Sequence, residues 1–163
     1  MTGRVIKYAD NVSTDAIIAG KYTKTLDFQE LAAHAMEDLD PHFHEKLTQR
    51  NIIAAGHYFG CGSSREQAPI ALRTAGVACI LAKDFSRIFF RNAINVGLCI
   101  AECDTDLIDD GDEITYVPGD GKVVNHTKSM EIPVLGLPQI MVDILEAGGL
   151  QPYLKSRNGS MEE

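Results

Sequence analysis

The sequence predicts an α/β fold in which parallel strands alternate with helices, and two observations lead to this prediction. Three short apolar runs, at residues 51–56, 77–82 and 98–102, have the length and composition of buried strands. Between them lie two segments of helical periodicity, 68–75 and 84–96, and each is followed by a glycine that can end a helix. A β-α-β-α-β order of this kind implies parallel strands joined by right-handed crossovers.

Further elements are predicted outside this centre. In chain order they are a strand at 4–9, a helix at 28–38, short antiparallel strands within 109–134 and a helix at 138–149. The helix at 28–38 is expected to begin with Asp27 and Glu30, which have the spacing of a capping pair. The Pro-Gly-Asp-Gly turn at 118–121 separates two of the short strands, so the C-terminal part is expected to be rich in β-structure.

The length and charge of the chain limit its organisation and its partners. Its 163 residues are enough for one domain with a substantial core, and we expect a single domain at 1–155 followed by a flexible tail at 156–163. The net charge of −8 argues against nucleic acid or an anionic membrane surface as the main partner. No stretch has the apolar length of a signal peptide core or a membrane span, so we expect a cytoplasmic protein without a membrane partner.

The four cysteines, Cys61, Cys79, Cys99 and Cys103, contain no CxxC pair. This spacing favours buried small side chains in a reducing compartment over a metal site, so no metal is predicted on this chain. Cys61 differs from the others because two glycines flank it in a loop. A nucleophilic role with His57, four residues earlier, is the less favoured alternative for this thiol.

The loop YFGCGSSRE at 58–66 is the stretch most suggestive of function. It lacks the lysine of a Walker loop, the third glycine of a dinucleotide fingerprint and the G-x-S-x-G of an α/β-hydrolase. It nevertheless lies between the carboxyl end of a predicted strand and the start of a helix, where α/β proteins bind ligands. The sequence therefore predicts a ligand site that none of the three common motifs explains.

The residues of this loop suit an anion. Ser64 and Gln67 fit a capping box, and Pro69 would then fall in the second turn and distort the start of the helix. Free amides, the helix dipole and the Arg65 guanidinium would converge on one volume suited to a carboxylate or a phosphate. The alternative is a tight turn and cap with Arg65 paired or solvated. Ser63 is superfluous under that alternative, and it could act as a base if the dipole and Arg65 stabilise its alkoxide.

Four motifs in the same order resemble the small subunits of 3-isopropylmalate dehydratase, in the aconitase superfamily. They are DNVSTDAIIAGKY near the start, FGCGSSREQAPIAL and DFSRIFFRNAINVG in the centre, and EAGGLQPYL near the end. The resemblance covers nearly the whole chain. It implies a swivelling β/β/α domain, like the aconitase C-terminal domain, that is catalytically incomplete alone. It also implies a partner, a large subunit carrying a [4Fe-4S] cluster with one iron free to bind substrate, and no cofactor on this chain.

The resemblance further implies a hydro-lyase that isomerises a hydroxy-dicarboxylic acid by dehydration and rehydration, with 3-isopropylmalate of leucine biosynthesis as the leading substrate. By position in the motif, Ser63 resembles the base that removes the proton beside a carboxylate. Arg65 resembles the residue that grips a substrate carboxylate, and Ser64 belongs to the same substrate-binding part. Thr14 and Asp15 match a Thr-Asp pair at the edge of the active site, although capping of the next turn explains Asp15 equally well.

Residues 20–25 correspond to the substrate-selecting segment of the family. Tyr22 is similar to the tyrosine of isopropylmalate-type members, whereas Thr23 and Lys24 stand where those members often carry apolar residues. Lys24 falls where homoaconitate-type members carry an arginine for an additional carboxylate. A sister dehydratase for homoaconitate or 2,3-dimethylmalate is therefore the alternative enzyme, and a non-catalytic anion-binding module is the alternative from another class. Gln67 also departs from the family, because many relatives have histidine there.

One further pair of basic residues lies outside these motif positions. Arg87 and Arg91 are four residues apart on the second predicted helix, so they share one face of it. They could form a positive rim of the site or contact the large subunit. Pairing with acidic side chains on the same surface is the favoured interpretation.

Overall fold

In a computed structural model of the protein, which describes residues 1–159, seven strands form one sheet. They are β1 (Thr2–Lys7), β2 (Ile52–Ala55), β3 (Cys79–Ala82), β4 (Cys99–Glu102), β5 (Glu113–Thr115), β6 (Lys122–Asn125) and β7 (Met130–Pro133). The strand order is β4-β3-β2-β1-β5-β6-β7. Strands β1 to β4 are parallel to one another, whereas β5, β6 and β7 run antiparallel to their neighbours. The predicted α/β fold with a β-rich C-terminal part is therefore confirmed.

The parallel strands are covered on both faces, which explains why their sequences are almost entirely apolar. Ile53, Ile80 and Ile100 are neighbours across the sheet and pack with the helices. The next residues along, such as Ala54 and Leu81, belong to a second core on the opposite face. Successive residues of a strand alternate between the faces, so the two cores share a single sheet.

The antiparallel strands fold back over this opposite face and complete the second core. Tyr116, Val123 and Ile132 are fully buried there with residues of the parallel strands. Just beyond β7, the amide of Leu135 donates to the carbonyl of Glu102 at 2.9 Å, so the sheet curls until its two outer strands meet. The result is three layers, with helices over parallel strands over antiparallel strands.

Seven α-helices are described within residues 1–159. They are α1 (Thr14–Ile17), α2 (Phe28–Ala33), α3 (Phe43–Leu47), α4 (Gln67–Ala75), α5 (Arg87–Val96), α6 (Gln139–Glu146) and α7 (Leu150–Gly159). None of the helices in this part of the chain is long and apolar enough to cross a membrane.

Helix α2 is shorter than the predicted helix at 28–38. Asp27 caps it as expected, accepting a hydrogen bond from the amide of Gln29 at 2.9 Å. The helix ends at Ala33 because the chain turns at Met36, whose φ of 61° is left-handed. The amide of buried Met36 donates to the carbonyl of Ile17 at 2.7 Å, so contact with α1 outweighs continuation of the helix.

Helix α7 was not predicted as an element. It includes 156–159, the first half of the expected tail, whereas 160–163 lie outside the described residues. The boundary of the domain at 155 stays a prediction.

Candidate active site

The loop at 58–66 follows β2 and is held by backbone hydrogen bonds on both sides. On one side it bridges to the segment that precedes α5. On the other side, the amide of Gly60 donates to the carbonyl of Val12 at 2.7 Å, and the amide of Thr14 donates to the carbonyl of Cys61 at 2.8 Å. The loop backbone is therefore fixed by segments distant in sequence, as a site that must hold a substrate requires.

Gly60 is the position where this loop approaches the core most closely. Its φ is +78°, in the left-handed region, and an added Cβ would lie 2.2 Å from Cγ of Phe89. The hydroxyl of Ser86, which also caps α5, donates to the carbonyl of Gly60 at 2.8 Å. Only glycine fits both the backbone conformation and the contact.

Gly60→Ala is expected to lower the free energy of unfolding by about 2–5 kcal/mol, because left-handed strain adds to overpacking against Phe89. Urea denaturation of the wild type and the Gly60→Ala variant measures the difference in the free energy of unfolding. Gly76→Ala is the matched control, since Gly76 has a φ of +112° with no atom within 4 Å of an added Cβ. The control is expected to lose only the strain, about 1–2 kcal/mol. Equal losses in both variants would contradict the contact with Phe89.

Ser63 is an exposed residue of the loop that precedes α4. Its carbonyl accepts a hydrogen bond from the Thr14 hydroxyl at 2.9 Å, and Thr14 is almost fully buried. No hydrogen-bond partner for the Ser63 hydroxyl occurs among residues 1–159. The backbone of Ser63 is thus anchored while its side chain is left available.

Arg65 lies beside Ser63 and joins the loop to α1. Its Nη1 donates to the carbonyl of Ile18 at 3.1 Å and pairs with the carboxylate of Asp15. The Arg65 side chain is 20% exposed, whereas that of Asp15 is 63% exposed. An added Cβ at Gly20 would lie 3.3 Å from Nη2, so the absence of a side chain at Gly20 leaves room for the guanidinium.

The predicted capping box of Ser64 and Gln67 is wrong. Helix α4 begins at Gln67 and has no side-chain cap, and Ser64 is exposed. The reason is Pro69, which has no backbone N–H. It fits in the first turn of a helix, because the N–H groups of that turn have no hydrogen-bond partner within the helix. A start at Gln67 puts Pro69 in that turn, so the expected distortion is absent. Gln67 instead donates from Nε2 to the carbonyl of Thr23 at 3.1 Å.

That contact ties the segment at 20–25 to the start of α4. The first three residues of the segment, Gly20–Tyr22, form a single 3-10 turn, and the Thr23 hydroxyl donates to the carbonyl of Gly20 at 2.7 Å. Lys24 is exposed and forms none of the ion pairs found within residues 1–159. The structure therefore brings this segment, Arg65 and the Ser63 loop to one edge of the domain.

Comparison with known proteins identifies the family. The model of the aconitase C-terminal domain matches residues 20–104. The chain is 51% identical over 156 residues to 3-isopropylmalate dehydratase small subunit 2 of Archaeoglobus fulgidus, covering 95% of this chain and 94% of that one. The chain belongs to the 3-isopropylmalate dehydratase small-subunit family.

Other members of this family agree. The small subunit of Clostridium beijerinckii is 49% identical over 157 residues, covering 95% of this chain and 98% of its own. The crystal structure of 3-isopropylmalate dehydratase from Methanocaldococcus jannaschii superposes with a TM-score of 0.93 at 44% identity, covering 99% of this chain and 96% of that one. The predicted family and aconitase-like β/β/α fold are therefore confirmed, whereas the roles of individual residues stay predictions.

The structure of this chain bears on two other predictions, the pairing of His57 with Cys61 and the surroundings of Arg87 and Arg91. His57 bonds Asp84 through Nδ1 at 2.6 Å, so that ring nitrogen is engaged away from Cys61. Arg87 and Arg91 are exposed beside an apolar groove, and neither takes part in an ion pair within residues 1–159. The favoured pairing of these two arginines with surface acids is therefore not found among the residues that the structure describes.

Proposed function

We propose that the protein is the small subunit of a two-subunit hydro-lyase that isomerises 3-isopropylmalate by dehydration and rehydration. The observation that carries the proposal is the convergence of Ser63, Arg65 and the Thr14-Asp15 pair at one edge of the domain. The chain also has 51% and 49% sequence identity to two 3-isopropylmalate dehydratase small subunits over 95% of its length. The dehydration of a hydroxy-dicarboxylic acid needs a base and a group that binds a carboxylate. At this edge of the domain, Ser63 is the candidate base and Arg65 the candidate carboxylate-binding group.

Ser63 acts in this proposal as the base that removes the proton beside a carboxylate. A serine hydroxyl is a weak base, so its alkoxide must be stabilised by nearby positive charge. The Arg65 guanidinium and the N-terminal end of α4 supply that charge. Ser63 is exposed, and its hydroxyl can meet a substrate without breaking a hydrogen bond to residues 1–159.

Arg65 anchors a carboxylate of the substrate. Its Nη1 is already used by Ile18 and Asp15, which fix the plane of the guanidinium. The donors on Nε and Nη2 form no hydrogen bond with residues 1–159 and are left for a bidentate contact, and that geometry matches the two oxygens of a carboxylate. Asp15 thus orients the guanidinium, and Thr14 holds the backbone of the loop that carries Ser63.

The iron–sulfur cluster of the superfamily does not fit this chain. Residues 1–159 contain no group of three or more His, Cys, Asp or Glu side chains that could hold a metal ion. Three of the four cysteines are buried in the domain, and burial raises the pKa of the Cys103 thiol to about 12, which disfavours a thiolate ligand. We therefore propose that the cluster lies on a separate large subunit.

Anaerobic reconstitution with the cluster-bearing chain of the same cell tests the proposal. The assay compares 3-isopropylmalate, homoaconitate and 2,3-dimethylmalate, with each chain alone as the control. We expect turnover of 3-isopropylmalate by the complex and none by either chain alone. A formed complex that is inactive on all three acids would contradict the proposed substrate, and failure to form a complex would favour an anion-binding module.

Lys24 is the specific observation that favours homoaconitate as a second candidate. Its exposed ammonium lies in the segment that adjoins Arg65, where it could bind an additional carboxylate as a point charge. Changing 23–25 to apolar residues is expected to shift the ratio of kcat/KM toward 3-isopropylmalate by roughly tenfold. Steady-state kinetics on both acids measure the ratio. Lys155→Leu on α7 is the control, and an unchanged ratio in the segment variant would remove Lys24 from substrate selection.

A further inference from the structure

The ring of Tyr22 lies flat on the ring of His34. The ring centroids are 3.8 Å apart and the planes differ by 8°. Tyr22 belongs to the segment at 20–25, whereas His34 is the first residue after α2. The stack therefore links the proposed substrate-selecting segment to a different element of the fold.

Glu37 holds the histidine of this stack in place. Its carboxylate bonds Nδ1 of His34 at 2.8 Å, and both side chains are one-third exposed. The hydrogen bond from His34, and to a lesser extent one from Tyr22, lowers the pKa of the Glu37 carboxyl below its ordinary value. The residue before Glu37 is Met36, which is buried and bonded to the end of α1. The stack is thus fixed to the core on the side of the histidine.

The segment at 20–25 has few other attachments. Its amides make single-turn hydrogen bonds, from Thr23 to Gly20 at 3.2 Å and from Thr25 to Tyr22 at 3.2 Å. Beyond the segment itself, Gln67 bonds the carbonyl of Thr23. The Thr25 hydroxyl donates to the carboxylate of Glu30 on α2 at 2.6 Å and accepts a hydrogen bond from the amide of Asp27 at 3.2 Å. A short turn of this kind is readily displaced when a packing contact is lost.

From this geometry we infer that His34 is a positioning residue for the substrate-selecting segment, acting through Tyr22 and held by Glu37. Gly20 lies against the Arg65 guanidinium, so a shift of the segment changes the wall of the carboxylate site. His34 would therefore set substrate affinity and preference without touching the reacting atoms. This inference rests on the proposed function and adds two residues, His34 and Glu37, to it.

The test compares His34→Ala, which loses both the stack and the bond to Glu37, with His34→Phe, which keeps a ring on Tyr22. His42→Ala is the matched control. His42, the residue before α3, and Glu45 form a pair with the same spacing at 3.1 Å, but their side chains are 70% and 80% exposed. The control thus removes a surface His–Glu pair without disturbing the segment.

In the reconstituted complex, His34→Ala is expected to raise KM for 3-isopropylmalate by roughly tenfold, since it loses one stacking contact and one hydrogen bond. The kcat is expected to stay within about threefold, because Ser63 is untouched. His34→Phe is expected to recover most of the affinity. A fall in kcat with unchanged KM, or an effect no larger than that of His42→Ala, would overturn the inference.

Hydrogen exchange of the free chain provides a readout that needs no activity. The amides of Tyr22, Thr23 and Thr25 are expected to exchange roughly tenfold faster in His34→Ala than in the wild type, and unchanged in His42→Ala. Unchanged exchange in His34→Ala would overturn the positioning role whatever the kinetics show. Faster exchange in the free His34→Ala chain, together with a wild-type complex that is inactive on every acid, would retain the positioning contact and reject the proposed function.

Discussion

Ser63→Ala is expected to reduce turnover by the reconstituted complex by about 10²–10⁴-fold, which is the usual contribution of a positioned general base. Substrate affinity and assembly are expected to be nearly unchanged. Ser63 is exposed and its hydroxyl has no hydrogen-bond partner among residues 1–159, so removal of the hydroxyl leaves no buried group unsatisfied. We therefore expect the free energy of unfolding to change by less than about 0.5 kcal/mol.

Single-turnover kinetics, with the complex in saturating excess over the substrate, measure this loss directly, because they separate the chemical step from product release. Ser129→Ala, in the exposed turn between β6 and β7, is the control for a surface serine on the opposite layer. Copurification with the large subunit shows whether assembly is retained. Turnover near the wild-type rate in Ser63→Ala would refute the role of Ser63 as the base.

Arg65→Lys is expected to lower kcat/KM by about 10²–10³-fold, mainly through a higher KM. A lysine keeps the positive charge but loses the planar fork of donors that binds a carboxylate at two oxygens. It also cannot contact Ile18 and Asp15 and still present a fixed face to the substrate. The expected loss in kcat/KM would therefore measure the contribution of the guanidinium geometry, because the positive charge is kept.

Arg73→Lys is a close control for this variant. Arg73 is exposed on α4, the helix that follows Arg65, and its Nη1 also donates to a backbone carbonyl, that of Val96, at 2.5 Å. Both substitutions thus remove an arginine contact to a carbonyl, but only one of them alters the proposed site. Similar kcat/KM values for the two variants would show that Arg65 serves the fold and does not bind substrate.

The centre of the fold could be predicted because its signals are local. Each parallel strand is a short apolar run, and the glycine after each helix marks its end, with Gly76 and Gly97 both left-handed in the structure. The end of α2 could not be predicted, because Met36 turns the chain to reach Ile17, a contact that no local pattern encodes. Tertiary context of this kind routinely overrides helix propensity.

The candidate site shows the same division. The motif around Ser63 and Arg65 could be read from the sequence, but the partners that hold it are 47 to 50 residues away in the chain. The hydrogen bond from Thr14 to Ser63 forms only when the fold brings the two segments together, so no local spacing of residues in the sequence predicts it. Pro69 did carry a usable signal, since its fixed φ and missing amide require a helix start close to it.

The curl of the sheet has a consequence for the behaviour of the chain in solution. An outer strand with free amides and carbonyls invites another molecule to add to it, and this is a common start of aggregation. Here the chain after β7 returns to the end of β4, where Leu135 bonds Glu102 and Val134 bridges Cys103. At this corner the ends of the two outer strands pair with each other, which leaves fewer free backbone groups for a second molecule to pair with.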